Sequence, residues 1–168
     1  MLAATVVKKL NQQINAEFYS SNLYLQMSSW CAFKGFEGSA SFLRVHATEE
    51  MDHMQRLFDY VNDCGSIAEL GVIAAPPTSF DSLSKVFELT YEHEVSITRS
   101  INSLVHVALE HQDYSTFNFL QWYVSEQHEE EKLIKGILDK ISIIGTEGRG
   151  MYHIDQVVGA LASTPAEA

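Results

Sequence analysis

The sequence has few of the residues that would indicate disulfides, a membrane anchor or a secretion signal. It contains only two cysteines in 168 residues, Cys31 and Cys64, which form neither a CxxC metal motif nor a disulfide framework. We expect two reduced, partly buried thiols in a cytoplasmic protein. No apolar run approaches the roughly 18 residues of a membrane span. In the N-terminal stretch MLAATVVKKL the lysines follow the apolar residues, the reverse of a signal peptide. No membrane partner is therefore expected.

Basic residues are scarce as well. The chain has 22 Asp and Glu against 11 Lys and Arg, which gives a formal net charge of −11. This balance argues against a phosphate-binding surface and so against nucleic acid as a partner, and it favours cations. The apolar fraction of 46% and the charged fraction of 20% are those of an ordinary globular protein.

Helical spacing of apolar residues dominates the chain, and strand-like alternation is nearly absent. The pattern predicts four long helices at about 5–33, 39–63, 82–110 and 114–144, and a short last helix at about 151–162. Ser39 is the expected N-cap of the second helix, and Gly65 is its expected stop. Residues 65–81, which include Pro76 and Pro77, form a long connection without helical pattern.

The lengths of the connections predict the topology. Short turns join the first helix to the second and the third to the fourth, so each of these pairs is antiparallel. The connection 65–81 can span some 55 Å when extended, which exceeds the roughly 40 Å of each long helix. We therefore predict an all-α fold, a four-helix bundle with one long crossover and a short fifth helix, in a single domain covering 1–168.

Each long helix carries a polar interruption near the middle of its apolar face. In the second helix, steps of three and four residues from Leu43 lead through Ala47 to Glu50. The complete set of interruptions is Glu17, Glu50, Glu94, and Gln127 with Glu130. A spacing of 33 residues separates the interruptions of the first and second helices and also those of the third and fourth. His53 follows Glu50 by three places, and the fourth helix repeats this spacing. The polar groups should therefore meet at mid-bundle.

Energetics indicates what these acids do. Burying an ionised carboxylate costs several kcal/mol unless something compensates it. Four such groups would exceed a domain's stability of about 5–15 kcal/mol. No lysine or arginine occupies the interrupting positions, so a bound cation is the expected compensation. Carboxylates with one imidazole and no thiolate favour iron or manganese over zinc or calcium. Glu50 lies where it can serve two ions.

These residues resemble the di-iron centre of ferritins, and the stretches HATEEMDHMQRLFDY and FNFLQWYVSEQHEEEKL resemble bacterial non-haem ferritins in particular. The resemblance covers essentially the whole chain. It implies a ferroxidase that oxidises Fe(II) with dioxygen or hydrogen peroxide and deposits ferric oxyhydroxide inside a self-assembled shell of twenty-four subunits, whose four-fold axes are lined by the last short helix. The implied ligands of one iron are Glu17, Glu50 and His53; those of the other are Glu50, Glu94 and Glu130, with Gln127 beside them.

The resemblance also suggests roles for residues near this centre. Glu49, Glu126 and Glu129 match acids that form a third iron site in bacterial ferritins, and the alternative is a solvated acidic face. Tyr24, two turns after Glu17, matches the family's tyrosine beside the centre. There it would hydrogen-bond a ligand and supply an electron to the oxygen chemistry; the alternative is a simple core residue.

Several alternatives stay open at the level of sequence. Met51 stands where bacterioferritins present a methionine to haem, but they carry ExxH in both halves and this chain reads QHEE in the second. Haem is therefore not expected. A shell subunit without chemistry is the rival function, and it would show neutral or cationic replacements of the acids. His46, one turn before Glu50, is either a neighbour of the ligands or a core residue. The other histidines are expected to be superficial or satisfied: His93, His106, His111, His128 and His153.

Overall fold

The computed structural model describes residues 2–162, which contain five helices and no strand. In chain order the helices are α1 (Ala4–Phe33), α2 (Glu37–Asp63), α3 (Leu83–Glu110), α4 (Tyr114–Ile144) and α5 (Arg149–Leu161). α1 pairs with α2, α3 pairs with α4, and α5 packs mainly on α2. The predicted four-helix bundle with a long crossover and a short fifth helix is confirmed.

Side-chain caps and glycines account for several helix ends. The hydroxyl of Ser82 accepts a hydrogen bond from the Lys85 amide at 3.1 Å and starts α3. Asp113 Oδ1 accepts one from the Thr116 amide at 3.0 Å and starts α4. After α2, Gly65 has a φ of 74°, a conformation that ends helices and favours glycine. The predicted stop at Gly65 agrees with this geometry.

The start of α2 differs from the prediction. α2 begins at Glu37, so Ser39 lies in its first turn and is not the N-cap. Its amide and hydroxyl donate to Oδ1 of Asp155 at 2.8 and 2.7 Å, and the Gly38 amide donates to Oδ2 at 3.0 Å. The cap is thus a carboxylate supplied by α5, which satisfies free amides at the positive end of the α2 dipole.

Two glycines allow α5 to approach α2 this closely. A Cβ added to Gly159 would lie 2.7 Å from the Cα of Gly38, so the two backbones are in direct contact. A Cβ on Gly38 would lie 2.1 Å from the carbonyl oxygen of Asp155. Neither position has space for a larger residue, and the short last helix is fixed to the first turn of α2.

The core consists of two apolar clusters with a polar layer between them. One cluster lies toward α5 and includes Leu23, Leu43, Phe87 and Ile137. The other lies at the opposite end of the bundle and includes Ile14, Met54, Ile101 and Leu120. On each long helix the polar interruption falls between the residues that belong to the two clusters. The bundle therefore holds its buried acids between two apolar regions.

The crossover is held against α1 by two asparagine side chains. Asn11 accepts from the Glu69 amide at 3.1 Å and donates to the Ile67 carbonyl at 3.3 Å. Asn15 accepts from the Gly71 amide at 2.6 Å and donates to the Glu69 carbonyl at 3.0 Å. Residues 67, 69 and 71 of the crossover thus hydrogen-bond to side chains of α1. These bonds order the crossover, in which the structure assigns no helix or strand between α2 and α3.

Cys31 and Cys64 are both free thiols, the first buried and the second half-buried. This agrees with the expectation of two unpaired, partly buried cysteines. None of the helices within residues 2–162 is long and apolar enough to cross a membrane.

Candidate metal centre

The polar layer contains four acids that are almost completely withdrawn from solvent. Glu17, Glu50 and Glu94 are at most 2% exposed, and Glu130 is 6% exposed. Each comes from a different long helix. Within residues 2–162, no lysine or arginine forms an ion pair with any of them; their only ionic partners there are His46 and His53. Within the described residues, four buried acids therefore face each other without a lysine or arginine that compensates their charge.

One group of metal-donor atoms is formed by Glu17, Glu50 and His53. Their donor atoms all lie within 4.8 Å of one another, and Nδ1 of His53 is 3.4 Å from Oε2 of Glu50. Glu17 receives a hydrogen bond on Oε1 from Gln13 Nε2 at 2.8 Å. Its Oε2 is buried and, within residues 2–162, has no hydrogen-bond partner. An orphaned carboxylate oxygen beside two other donors is the arrangement that a cation would satisfy.

Glu94 has a different environment, because hydrogen-bond donors occupy both of its oxygens. The Tyr24 hydroxyl donates to Oε1, and Gln127 Nε2 donates to Oε2 at 2.9 Å. Gln127, which the resemblance placed beside the second iron, thus points its amide nitrogen at a carboxylate. In this arrangement the side-chain amide of Gln127 orients Glu94.

A second group of donor atoms lies closer to the surface and includes a histidine that sequence reasoning left open. Nδ1 of His46 is 3.0 Å from Glu49 Oε2 and 3.6 Å from Glu130 Oε2. The donor atoms of His46, Glu49 and Glu130 all lie within 4.8 Å of one another. His46 is therefore a direct neighbour of the predicted ligands.

The remaining acids predicted near the centre, Glu126 and Glu129, line the same surface groove as this second group. Glu126 Oε1 lies 3.9 Å from Nε2 of His53, which places Glu126 beside both groups. Glu129 is exposed at the edge of the groove. The structure thus brings Glu49 and Glu126 next to the centre and leaves Glu129 more peripheral.

Burial sets the protonation of the layer. It raises the pKa of Glu50 well above the ordinary value, and repulsion from Glu94, Glu17 and Glu130 adds to the rise. Burial raises the pKa of Glu17 to about 7, against the opposing bond from Gln13. It raises the pKa of Glu130 to about 7, with His46 opposing, and it also raises that of Glu94. The metal-free layer therefore retains protons near neutral pH.

His53 responds to burial in the opposite sense. Desolvation lowers the pKa of His53 to about 4, so its ring is neutral at pH 7. A neutral imidazole offers a lone pair to a cation. Binding of a cation to this layer would release protons from the acids. His53 would release none, because its ring is already neutral.

Sequence reasoning missed one residue that contacts the centre. Gln13 is 1% exposed and lies one turn before Glu17, to which it donates. A polar residue four positions before a ligand on a buried face was the available signal.

Among the other histidines, His93 lies 2.7 Å from the Ser20 hydroxyl and packs edge-on against Tyr19 and Tyr24, as a satisfied side chain. The rest are exposed, as expected: His106, His111, His128 and His153.

Comparisons with known proteins agree with this geometry. A family model described as a ferritin-like domain matches residues 7–144. The chain is 55% identical to a bacterial non-heme ferritin of Escherichia coli over 161 residues, 96% of this chain and 98% of that protein. It is 56% identical to a bacterial non-heme ferritin of Campylobacter jejuni over 162 residues, 96% of this chain and 97% of that protein.

Solved structures show the same likeness. The open-pore ferritin of the archaeon Archaeoglobus fulgidus superposes with a TM-score of 0.92 at 40% identity, covering 95% of this chain and 98% of that one. The Chlorobium tepidum ferritin superposes with a TM-score of 0.86 at 49% identity, covering 94% of this chain and 97% of that one. The similarity extends over almost the whole length of each protein and is well above the level at which fold alone is shared.

Proposed function

Because this chain belongs to the ferritin family, we propose that it stores iron and that its polar layer is a ferroxidase centre. Fe(II) is the substrate, and dioxygen or hydrogen peroxide is the oxidant. The iron is then deposited as ferric oxyhydroxide inside a shell of twenty-four copies of the chain. The names of the relatives, bacterial non-heme ferritins, support storage in particular.

The observation that carries the proposal is the burial of four acids between two apolar clusters, with no lysine or arginine partner among residues 2–162. Burial at this level is unfavourable for every ionised carboxylate, and hydrogen bonds inside the layer leave Glu17 Oε2 unsatisfied. Bound cations neutralise the repulsion between the carboxylates and are coordinated by the unsatisfied oxygen of Glu17. Oxygen donors with a neutral imidazole suit ferrous iron, which is bound by carboxylates and histidine in the absence of thiolates.

We assign the ligands in two groups that share Glu50. Glu17, Glu50 and His53 hold one iron, and this assignment is supported by donor atoms within 4.8 Å. Glu50, Glu94 and Glu130 hold the other, with Gln127 beside it. Each oxygen of Glu94 accepts one hydrogen bond and keeps a further lone pair, so Glu94 can bind the second ion while Tyr24 and Gln127 orient it.

The chemistry requires both irons together. Each Fe(II) loses one electron, and dioxygen accepts the two electrons and two protons to give hydrogen peroxide. Hydrogen peroxide as oxidant accepts two electrons and two protons to give two waters. The acids of the layer, which hold protons near neutral pH in the metal-free protein, release them when the irons bind, and bulk water supplies the protons that the oxidant takes up. Tyr24, whose hydroxyl donates to Glu94, holds that ligand in place.

Glu49, Glu126 and Glu129 form a third iron site at the groove beside the centre. Support comes from the groove that all three line and from the 3.9 Å contact of Glu126 with His53. His46 joins Glu49 to Glu130, a ligand of the second iron, and so connects the third site with the iron pair. The expected effect of Glu126→Gln,Glu129→Gln is a loss of one bound iron per chain with rapid oxidation retained. Anaerobic titration with Fe(II) measures the stoichiometry.

The central test compares three forms of the protein. Each is made metal-free, loaded with Fe(II) without oxygen and exposed to air, and the rise of Fe(III) absorbance is followed. Wild type should oxidise iron rapidly, Glu50→Ala,His53→Ala should oxidise it no faster than buffer, and Glu92→Ala, an exposed acid on α3, should match wild type. Equal rates in wild type and the double variant would favour a shell subunit without chemistry. A monomer or dimer in sedimentation would contradict storage in a shell.

A further inference from the structure

A hydrogen-bond chain runs from α3 through α1 to Glu17. The Ser100 hydroxyl donates to Oε1 of Gln13 at 2.6 Å, and Nε2 of Gln13 donates to Oε1 of Glu17 at 2.8 Å. Gln13 is 1% exposed. When Glu17 binds a cation it is an ionised carboxylate, which accepts hydrogen bonds and does not donate them, so the amide nitrogen of Gln13 faces it. The hydroxyl of Ser100 then fixes the other end of the amide.

This chain makes the two oxygens of Glu17 inequivalent. Oε1 accepts a hydrogen bond from Gln13, whereas Oε2 is buried and has no hydrogen-bond partner within residues 2–162. Glu50 and His53 supply the neighbouring donor atoms. Oε2, which has both lone pairs available, is therefore the better placed oxygen to bind a cation. Glu94 contrasts with Glu17, because donors occupy both of its oxygens.

We propose that Gln13, anchored by Ser100, is a positioning residue that limits Glu17 to coordination through one oxygen and so keeps a coordination position of the ion open. The inference rests on the proposed function in taking Glu17, Glu50 and His53 as an iron site. A carboxylate released from Gln13 would bind through both oxygens and fill one further position. Metal sites that react with small molecules keep such a position free, because the incoming molecule or water must reach the metal.

The substitution Gln13→Met isolates this effect. Methionine has a similar length and volume and lacks the amide donor, so the core remains filled. Glu17 then loses the hydrogen bond that Gln13 donates to its Oε1. The released Oε1 is expected to turn toward the bound cation. The matched control is Gln12→Met, the same change on the adjacent exposed residue. Ser100→Ala is a second variant, which keeps the donor and removes its anchor.

Co(II) is the probe, since its visible absorption weakens as its coordination number rises. One equivalent per chain is added to metal-free protein in a Glu94→Ala,Glu130→Ala background, which leaves Glu17, Glu50 and His53 as the proposed donors. Gln13→Met should lower the molar absorbance by about twofold relative to the background and to Gln12→Met. Ser100→Ala should lower it by less. In otherwise wild-type protein, Gln13→Met should slow the oxidation of Fe(II) while stoichiometric Fe(II) binding persists.

The outcomes separate this inference from the proposed function. A Co(II) spectrum that is unchanged by Gln13→Met and Ser100→Ala, or an absorbance that rises, overturns the role of Gln13. If Gln13→Met does not fold, the result for Ser100→Ala decides in the same way. If Glu17→Ala in the same background binds Co(II) with the affinity and spectrum of its parent, the cluster is not the metal site, and the proposed function fails at its first ligand group.

Discussion

The hydroxyl of Tyr24 donates a hydrogen bond to Oε1 of Glu94, and each of the two residues is 1% exposed. Burial raises the pKa of Tyr24 well above its ordinary value, and the negative charge of Glu94 raises it further. The phenol therefore keeps its proton and remains a donor at neutral pH. Its partner is a proposed ligand of the second iron, so removal of the hydroxyl changes the orientation of that ligand.

Tyr24→Phe should slow the oxidation of Fe(II) by about tenfold, because partners that orient metal ligands typically contribute this much. The matched control is Tyr123→Phe. Tyr123 is equally buried, and its hydroxyl donates at 2.7 Å to the backbone carbonyl of His53 and not to a ligand carboxylate. Both variants should lose about 1 kcal/mol of stability. Stopped-flow absorbance after mixing with aerated buffer measures the rates, and equal rates in the two variants would contradict a specific role for Tyr24.

The raised pKa of Glu17 predicts a pH dependence of the metal-free protein. The pKa of Glu17 is about 7 in the folded chain against 4.5 for an ordinary glutamate. Between these pH values the folded state holds a proton that the unfolded state has lost, so the free energy of unfolding falls as pH rises. The contribution is fully present below about 4.5 and is lost as the pH passes 7.

Glu17→Gln carries no titrating proton at this position and isolates the effect. Its free energy of unfolding relative to wild type should increase from pH 4.5 to pH 8 by on the order of 3 kcal/mol. Urea unfolding in the presence of a chelator at several pH values measures the difference. The exposed Glu92→Gln serves as the control and should follow wild type. A difference between Glu17→Gln and wild type that is constant with pH would refute the predicted protonation.

The contact between Gly38 and Gly159 predicts a large effect of one methyl group. In Gly159→Ala the new Cβ would meet the Cα of Gly38 at 2.7 Å, so α5 must move away from α2. We expect a loss of about 1–3 kcal/mol, as for other overpacked contacts. Gly136→Ala on α4 is the control, because a Cβ there has no neighbour within 4 Å. It should gain about 0.5–1 kcal/mol from helix propensity. Thermal unfolding of both variants tests the sign of each change.

The cap that Asp155 provides for α2 can be tested separately from this contact. Asp155 accepts hydrogen bonds from the backbone amides of Gly38 and Ser39. In Asp155→Asn an amide nitrogen, itself a donor, faces one of these two backbone amides. We expect a loss of about 1–3 kcal/mol and faster hydrogen exchange at both amides. Asp139→Asn, which removes an exposed ion pair with Lys135, should change stability by less than about 1 kcal/mol. Unchanged exchange at the start of α2 would exclude Asp155 as its cap.

Sequence reasoning predicted the helices well, since the signals that end them are local. Gly65 has the positive φ that a helix stop requires, and Ser82 caps α3 with its own hydroxyl. The cap of α2 could not be found in this way, because Asp155 lies more than a hundred residues along the chain. Ser39 satisfies the composition rule for an N-cap, but it serves as a donor within the first turn.

For the metal centre, periodicity located the buried acids and could not give their partners. Glu17, Glu50 and Glu94 were found because an acid on an apolar face is anomalous whatever it contacts. Gln13 was missed although its spacing from Glu17 on the same helix was a usable signal. His46 was left open because one of its partners, Glu130, lies on another helix and cannot be identified from local spacing. The same limit applies to Gln127, whose amide nitrogen points at Glu94.

The pairing of the crossover with Asn11 and Asn15 has a consequence for how this segment can vary in length. Backbone groups of residues 67, 69 and 71 meet these side chains in alternation, so one inserted residue among them would turn the paired groups outward. An insertion near Pro76, outside this stretch, leaves every such bond in register. Length variation among homologous chains should accordingly collect after residue 71, and foreign peptides grafted there should be accepted without unfolding the bundle.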